Sequence, residues 1–468
     1  MTAVVIIGGG PGGYEAALVA RQLGGEVTLV ERDGLGGSAV LTDVVPSKTL
    51  ITAAAAMAEL RRAGEVGLRL RGGGAVADAV EVDLGAVNRR IRSLAQAQSA
   101  DIADRLAADG VRLVRGSGRL DGPGRVVVTT AAGEDLLPAD IVLVATGASP
   151  RELPTARPDG ERIFTWKQLY ALERLPEHLV VVGSGVTGAE FASAYRTLGA
   201  EVTLVSSRDH VLPGEDADAA AVIQSVFEAS GMTVLGKARA AAVERRGDEV
   251  VVRLADGRRV VGSHCLVAVG AVPNTAGLGL AEAGVELDER GHLRVDRVSR
   301  TTARGVYAAG DCTGVLALAS VAAMQGRIAM WHALGDAVTP LDLQTVAATV
   351  FTSPEIATVG VAETELSDRL RGVVVRLPLH SNARAKMQAV TDGFVKLICL
   401  PLTGIVIGAV VVGPTASELV HPLSVAVRNK LTVDQLAGSF TVYPSLSGSL
   451  AEAARRLHGH AGDQLIIY

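Results

Sequence analysis

Residues 4–33, VVIIGGGPGGYEAALVARQLGGEVTLVERD, align without a gap over residues 179–208, LVVVGSGVTGAEFASAYRTLGAEVTLVSSR. A repeat of this kind restricts the fold more than any single motif does, because both copies must close the same supersecondary unit. Each reads as an apolar strand, a G-x-G-x-x-G turn, a helix and a second apolar strand, the opening of a βαβ unit. The glycines have separate jobs. Gly8 and Gly183 permit the tight turn, Gly10 and Gly185 let the backbone approach a pyrophosphate, and Gly13 and Gly188 let the helix pack closely on the sheet. The helix N-terminus then offers free N–H groups and a positive dipole end to phosphates, so two dinucleotide sites are expected.

The two second strands end differently. Glu31 stands where a carboxylate accepts hydrogen bonds from an adenosine ribose and repels a 2'-phosphate, and Arg32 beside it is a further candidate contact. In the second copy the acid is replaced by Ser206, followed by Ser207 and Arg208, which together offer hydroxyl donors and a cation to a phosphate. This reads as NADPH tolerated or preferred over NADH in the second site. For Arg208 a solvated surface cation is the competing reading.

Composition excludes several classes. A chain of 468 residues with 48% hydrophobic and 20% charged residues is globular and too long for one core, and a formal net charge of -5 carries no basic footprint for nucleic acid. The start, MTAVVIIGGGPGG, lacks a basic n-region, and no uninterrupted apolar run reaches membrane-spanning length. Cys265, Cys312 and Cys399 are far apart with no C-x-x-C, and His458 with His460 reads as a solvated tail, so neither a disulfide framework nor a metal site is expected. A cytoplasmic enzyme is the default.

Elsewhere, helical spacing runs from Pro46 to about Arg62 and from Val87 to Ala108, with a glycine-rich connection and a short strand expected between them. The segments GRVVVTTAAGEDLLPADIVLVATGA and DEVVVRLADGRRVVGSHCLVAVGA read as hairpins closing the first and second units. From Val346 the pattern changes to β-rich pairs and helices, an α+β region.

The ordered motifs GGGPGG, PSK, VATGA, GSGVTGAEFA, AVGAVPNT, VYAAGD, FTSPEIATVG and VGPTASELV give the whole chain a resemblance to the pyridine nucleotide-disulfide oxidoreductases, the flavoprotein disulfide reductases. Within them it is similar to a mycobacterial-type branch, like lipoamide dehydrogenase in sequence but acting as NAD(P)H:quinone reductases. The resemblance implies an α/β chain with two Rossmann-like domains and a C-terminal α+β dimerisation domain. The implied partition is an FAD-binding domain over 1–150, an NAD(P)H-binding domain over 151–275, a central segment completing the FAD site over 276–345, and a dimer interface over 346–468. It also implies roles. Gly37 and Ser38 contact the FAD pyrophosphate, Thr146 and Gly147 form a turn against FAD, and Asp311 bonds the ribityl chain. Lys48 lies near flavin N5, Glu190 is its ion-pair partner near the nicotinamide, and Gly270 in AVGAVPNT lies against NADP. Ala271 departs from the family's usual Arg in that motif.

The segment GGSAVLTDVVPSK aligns with the family's redox loop, and Ala39 and Val44 occupy its two cysteine positions. No dithiol can form there. Near the C-terminus YPSLSG replaces HPTxSE, with Tyr443 at the position of the catalytic His and Gly448 at that of its Glu. A phenol is a poor base at neutral pH, though Tyr443 remains a candidate catalytic residue beside Lys48 and Glu190. The expectation is a homodimeric FAD-dependent NAD(P)H:quinone oxidoreductase, passing hydride from NADPH or NADH to FAD and then two electrons to a quinone. Two alternatives stay open: a transhydrogenase or NADPH oxidase, and a catalytically retired FAD-binding scaffold subunit.

Overall fold

The computed structural model describes residues 1–458 and 466–467, so His460 of the expected tail lies outside the described residues. The first sheet is parallel, with strands in the order Val306–Ala308, Ile141–Val144, Ala3–Ile7, Glu26–Glu31 and Arg112–Arg115. Val4, Val5, Ile6 and Ile7 are all buried, as the central strand of a sheet covered on both faces requires. The second sheet repeats the plan with Thr233–Leu235, Glu201–Val205, His178–Val182, His264–Val267 and Ile163–Phe164.

The repeat extends to register and to atomic contact. Val4 pairs with Val27 and Ile141, and its counterpart Leu179 pairs with Val202 and His264. Gly8 and Gly183 take φ of +104° and +113°, and a Cβ on either would meet the carbonyl oxygen of Ala145 or Ala268 at 2.3 or 2.2 Å. A Cβ on Gly13 or Gly188 would stand 1.9 Å from the oxygen of Gly8 or Gly183. Only glycine fits at these four positions. The helices Pro11–Gln22 and Val186–Leu198 start from Gly10 and Gly185 in the same extended conformation.

Three antiparallel strands are inserted into each unit, Ser117–Leu120 with Arg125–Thr130 and Gly133–Pro138, and Ala240–Arg246 with Glu249–Leu254 and Arg259–Gly262. Both segments read as hairpins do pair this way. Beyond them the chain returns to the first sheet through Val306–Ala308 and packs helix Ala319–Ala333 on helix Pro11–Gln22. This crossing is close enough that a Cβ on Gly326 would stand 2.0 Å from the Gly12 oxygen. The C-terminal region forms a six-stranded antiparallel sheet backed by helices Ala416–Arg428 and Gly448–Leu457. Its buried Lys396 bonds Asp216 and Asp218 (both 2.8 Å), at the start of helix Ala217–Ala229, and Glu363 (2.6 Å). That lysine ties the sheet to the second unit through compensated charge.

Several local expectations change. The connection after Arg62 holds two 3-10 turns, Ala63–Val66 and Val76–Ala79, and no strand, because its glycines leave too few consecutive side chains to pair. Helix Leu84–Ala108 begins before Val87, since Asp83 Oδ1 accepts from Ala86 N at 2.8 Å and caps it. The segment GGSAVLTDVVPSK is largely helical: Gly37–Leu41, a break at Thr42 and Asp43, then Val44–Arg62, so Pro46 sits inside the first turn. The run 37–66 contains an 18-residue window with a mean hydropathy of 1.2 and is long and apolar enough to cross a membrane by length and composition. It is broken at Thr42 and Asp43, and its Leu50, Ala54 and Met57 share one core with Phe191 and Tyr195. It is therefore a core helix.

Gly326→Ala should cost at least about 2 kcal/mol through overpacking against Gly12, seen as a lower thermal unfolding midpoint. Gly64→Ala, at a site with open space, should leave the midpoint unchanged. Equal midpoints for the two variants would refute the close crossing.

Candidate functional site

A cavity of about 570 Å³ opens along the C-terminal ends of the first sheet, where ligands bind in open α/β folds. Its wall brings together Gly8, Gly10, Glu31, Arg32, Gly37, Ser38, Thr146, Gly147 and Asp311, drawn from distant parts of the sequence. Gly36 N donates to Gly9 O at 2.8 Å, and a Cβ on Gly37 would stand 2.9 Å from Gly10 Cα, so two glycine turns meet back to back. Gly10 itself has nothing within 4 Å where a Cβ would stand. That bare backbone, at the start of helix Pro11–Gln22, forms a cradle fitted to a dinucleotide pyrophosphate such as that of FAD.

Side chains around the cradle are held in place. Glu31 Oε2 accepts from Gly9 N at 2.6 Å and Oε1 from Asp33 N at 2.7 Å. Arg32 is exposed and pairs with Asp33 at 3.1 Å. Ser38 Oγ and Thr42 Oγ1 are 3.1 Å apart. The Thr146 hydroxyl donates to Asn274 O at 2.7 Å, and Asn274 Nδ2 donates back to Thr146 O at 2.9 Å, so this threonine clamps the two crossing connections. Burial pushes the Asp311 carboxyl above its ordinary range.

Lys48 and Glu190 meet although 142 positions separate them. Lys48 Nζ donates to Glu190 Oε2 at 2.8 Å and lies 4.8 Å from the centre of the Phe351 ring. Glu190 Oε1 accepts from Phe351 N at 2.9 Å, and only 4% of its side chain is exposed. A carboxylate this buried needs both partners.

Ala39 and Val44 both line the cavity, in helix Gly37–Leu41 and at the first position of helix Val44–Arg62. No thiol replaces them. All three cysteines are free and buried; Cys312 lies beneath the site, its thiol raised to about 11 by burial and 3.3 Å from Ala309 O. Tyr443 is 87% exposed and is not brought to Lys48 and Glu190 within the subunit, because it sits on a surface stretch with exposed Phe440 and Val442.

In the second unit Gly183, Gly185 and Gly188 repeat the cradle, and Gly185 is as open as Gly10. Gly270, at φ +98°, lies where the connection beside Ala271 crosses strand Ala148–Pro150. Ser206 corrects an expectation. It is fully buried, with its Oγ 2.7 Å from Ser184 Oγ and accepting from Arg208 N at 3.1 Å. Ser184 stands where Gly9 stands in the first copy, so a hydroxyl pair replaces the bond that Glu31 makes to the turn. The Ser206 hydroxyl is taken up by Ser184 Oγ and by the backbone of Arg208 and His210, so it does not face a ligand phosphate. Ser207 and Arg208 are exposed, and the Arg208 guanidinium has no ion pair among the described residues.

Sequence reasoning missed Asp43, Lys167 and Phe351. Asp43 lines the cavity between Ala39 and Val44, and burial raises its carboxyl to about 6. An acid beside the second lost cysteine was the available signal. Phe351 carried none, since only folding brings its N–H to Glu190.

Comparison with known proteins agrees with this geometry. The family model described as pyridine nucleotide-disulphide oxidoreductase matches residues 2–326, and the model of that family's dimerisation domain matches residues 346–454. The chain is 55% identical over 471 residues to a protein of Mycobacterium tuberculosis named NAD(P)H dehydrogenase (quinone), covering 98% of this chain and 94% of the other. It is 33% identical over 467 residues to the dihydrolipoyl dehydrogenase of Zymomonas mobilis, covering 98% of each. The crystal structure of LpdA from Mycobacterium tuberculosis superposes with a TM-score of 0.92 at 54% identity, covering 98% of this chain and all of that one. With two fingerprint units, a cradle fitted to a dinucleotide and a matching C-terminal region, the chain belongs to the pyridine nucleotide-disulphide oxidoreductase family, whose members use FAD and NAD(P)H.

Proposed function

We propose that the protein is an FAD-dependent NAD(P)H:quinone oxidoreductase that works as a cytoplasmic homodimer. One observation carries the reading: the cavity keeps its glycine cradle, the Lys48–Glu190 ion pair forms near enough for its charges to act on Asp43 in the cavity wall, and Ala39 and Val44 line the cavity where the family resemblance places two cysteines. FAD bound in the cradle supplies two-electron transfer between a nicotinamide and an acceptor. Gly10 and Gly37 leave room for its pyrophosphate, and Lys48, fixed by Glu190, holds a cation one helical turn beyond Val44 of the cavity wall. Ala39 and Val44 offer an apolar wall that cannot exchange with a disulfide. A planar, partly apolar quinone suits that wall and needs no protein nucleophile. The 55% identity to an NAD(P)H dehydrogenase (quinone) supports the same acceptor.

Exposed Phe440, Val442 and Tyr443 lie within the match to the family's dimerisation domain, which supports a second copy burying them. Three free, buried cysteines suit a reducing compartment.

Purified holoprotein should reduce benzoquinones and naphthoquinones with NADPH or NADH faster than it reduces lipoamide. Faster turnover of the disulfide, or oxygen consumption that added quinone does not change, would sink the proposal. For the nucleotide, Ser207 and Arg208 are the exposed residues at the second strand end. Arg208→Ala should raise KM for NADPH roughly tenfold through loss of a charge-assisted bond, and alter KM for NADH less than about twofold. Equal effects on the two nucleotides would rule out a 2'-phosphate contact.

A further inference from the structure

Asp43 is the one acid in the stretch 36–47 and stands directly before Val44. It occupies the N-cap position of helix Val44–Arg62, where aspartate normally accepts a bond from a backbone N–H of the first turn. Here it caps nothing. Its backbone oxygen accepts from Ser47 N at 2.7 Å, but its carboxylate has neither a hydrogen bond nor an ion pair among the described residues. It lines the same cavity as Ala39 and Val44. An aspartate that declines its local bond and faces a ligand cavity is available for chemistry.

The reaction proposed above leaves a proton unassigned. NAD(P)H delivers two electrons and one proton, whereas a quinol carries two electrons and two protons more than its quinone. Resting on the quinone reading, we propose that Asp43 is the catalytic acid of acceptor reduction, its carboxyl giving the second proton to a quinone oxygen and recovering one from solvent through the cavity mouth. The step balances: quinone, NAD(P)H and one proton become quinol and NAD(P)+.

The surroundings set the titration. Burial has the largest effect on Asp43. Lys48 on its own helix then favours the ionised form, Glu190 from helix Val186–Leu198 and Asp311 from the turn after Val306–Ala308 oppose it, and Lys167 favours it again. Tyr170, buried beside them, feels the Asp43 and Glu190 charges. The carboxyl is raised to about 6, so the protonated donor predominates below that value and is lost as pH rises through it. Proton donation should therefore weaken toward alkaline pH.

The test compares wild type, Asp43→Asn and Asp43→Glu as flavin-loaded holoproteins, with a soluble naphthoquinone and with ferricyanide, which takes electrons without protons. The ratio of naphthoquinone to ferricyanide rate should fall about 100-fold in Asp43→Asn and largely recover in Asp43→Glu. Independently of turnover, infrared difference spectra of the wild-type holoprotein should carry a protonated carboxyl band that titrates near about 6 and is missing from Asp43→Asn. An unchanged ratio in Asp43→Asn, or the same carboxyl band persisting there, would overturn the assignment while leaving the quinone reading intact. No quinone turnover by the wild type would overturn both.

Discussion

Glu190 is the point on which the three parts of the chain converge. One carboxylate oxygen accepts from Lys48 on the helix that follows the first fingerprint unit, and the other accepts from the backbone of Phe351 as the C-terminal region begins. Glu190 itself rides on the helix of the second fingerprint. A nearly buried carboxylate is tolerable only when compensated, so the fold must deliver a cation and an N–H to one place. Ser193, one turn further along, accepts from Ser353 N at 3.3 Å and repeats the tie. These contacts fix the first unit, the second unit and the C-terminal region against one another.

The two fingerprint units show how far one backbone plan serves two sites. The close approach at Gly8 and Gly183, and at Gly13 and Gly188, agrees within 0.1 Å because the tight turn and the helix crossing leave no room for variation. The strand ends are free of that constraint and diverge. Glu31 spans back to the turn through backbone N–H groups, whereas Ser206 reaches it only through a second hydroxyl. Function is thus altered at the periphery of a geometry that cannot itself change.

Ala39 and Val44 make an apolar stretch of wall beside the glycine cradle. Ala39 and Val44 sit on two short helical segments separated by a break at Thr42 and Asp43. The break carries an acid that no backbone group claims, and the chemistry open to the site passes from exchange at sulfur to cofactor, cation and proton.

The sequence by itself determined the repeat, the glycine cradles, the missing dithiol and the pairing of Lys48 with Glu190, the last of these through family resemblance. The first three were legible because each depends on residue type at fixed local spacing. Spacing also suggested Ser206 as a phosphate contact, but the folded chain buries it completely, with its hydroxyl engaged by Ser184 and by the backbone of Arg208 and His210. Nor did periodicity mark the break that turns Asp43 away from its helix, the crossing of Gly12 with Gly326, or the N–H of Phe351 at Glu190. All depend on elements far apart in the chain arriving at one place. Local sterics fixed what each turn must be, and long-range packing decided which side chains were left free to act.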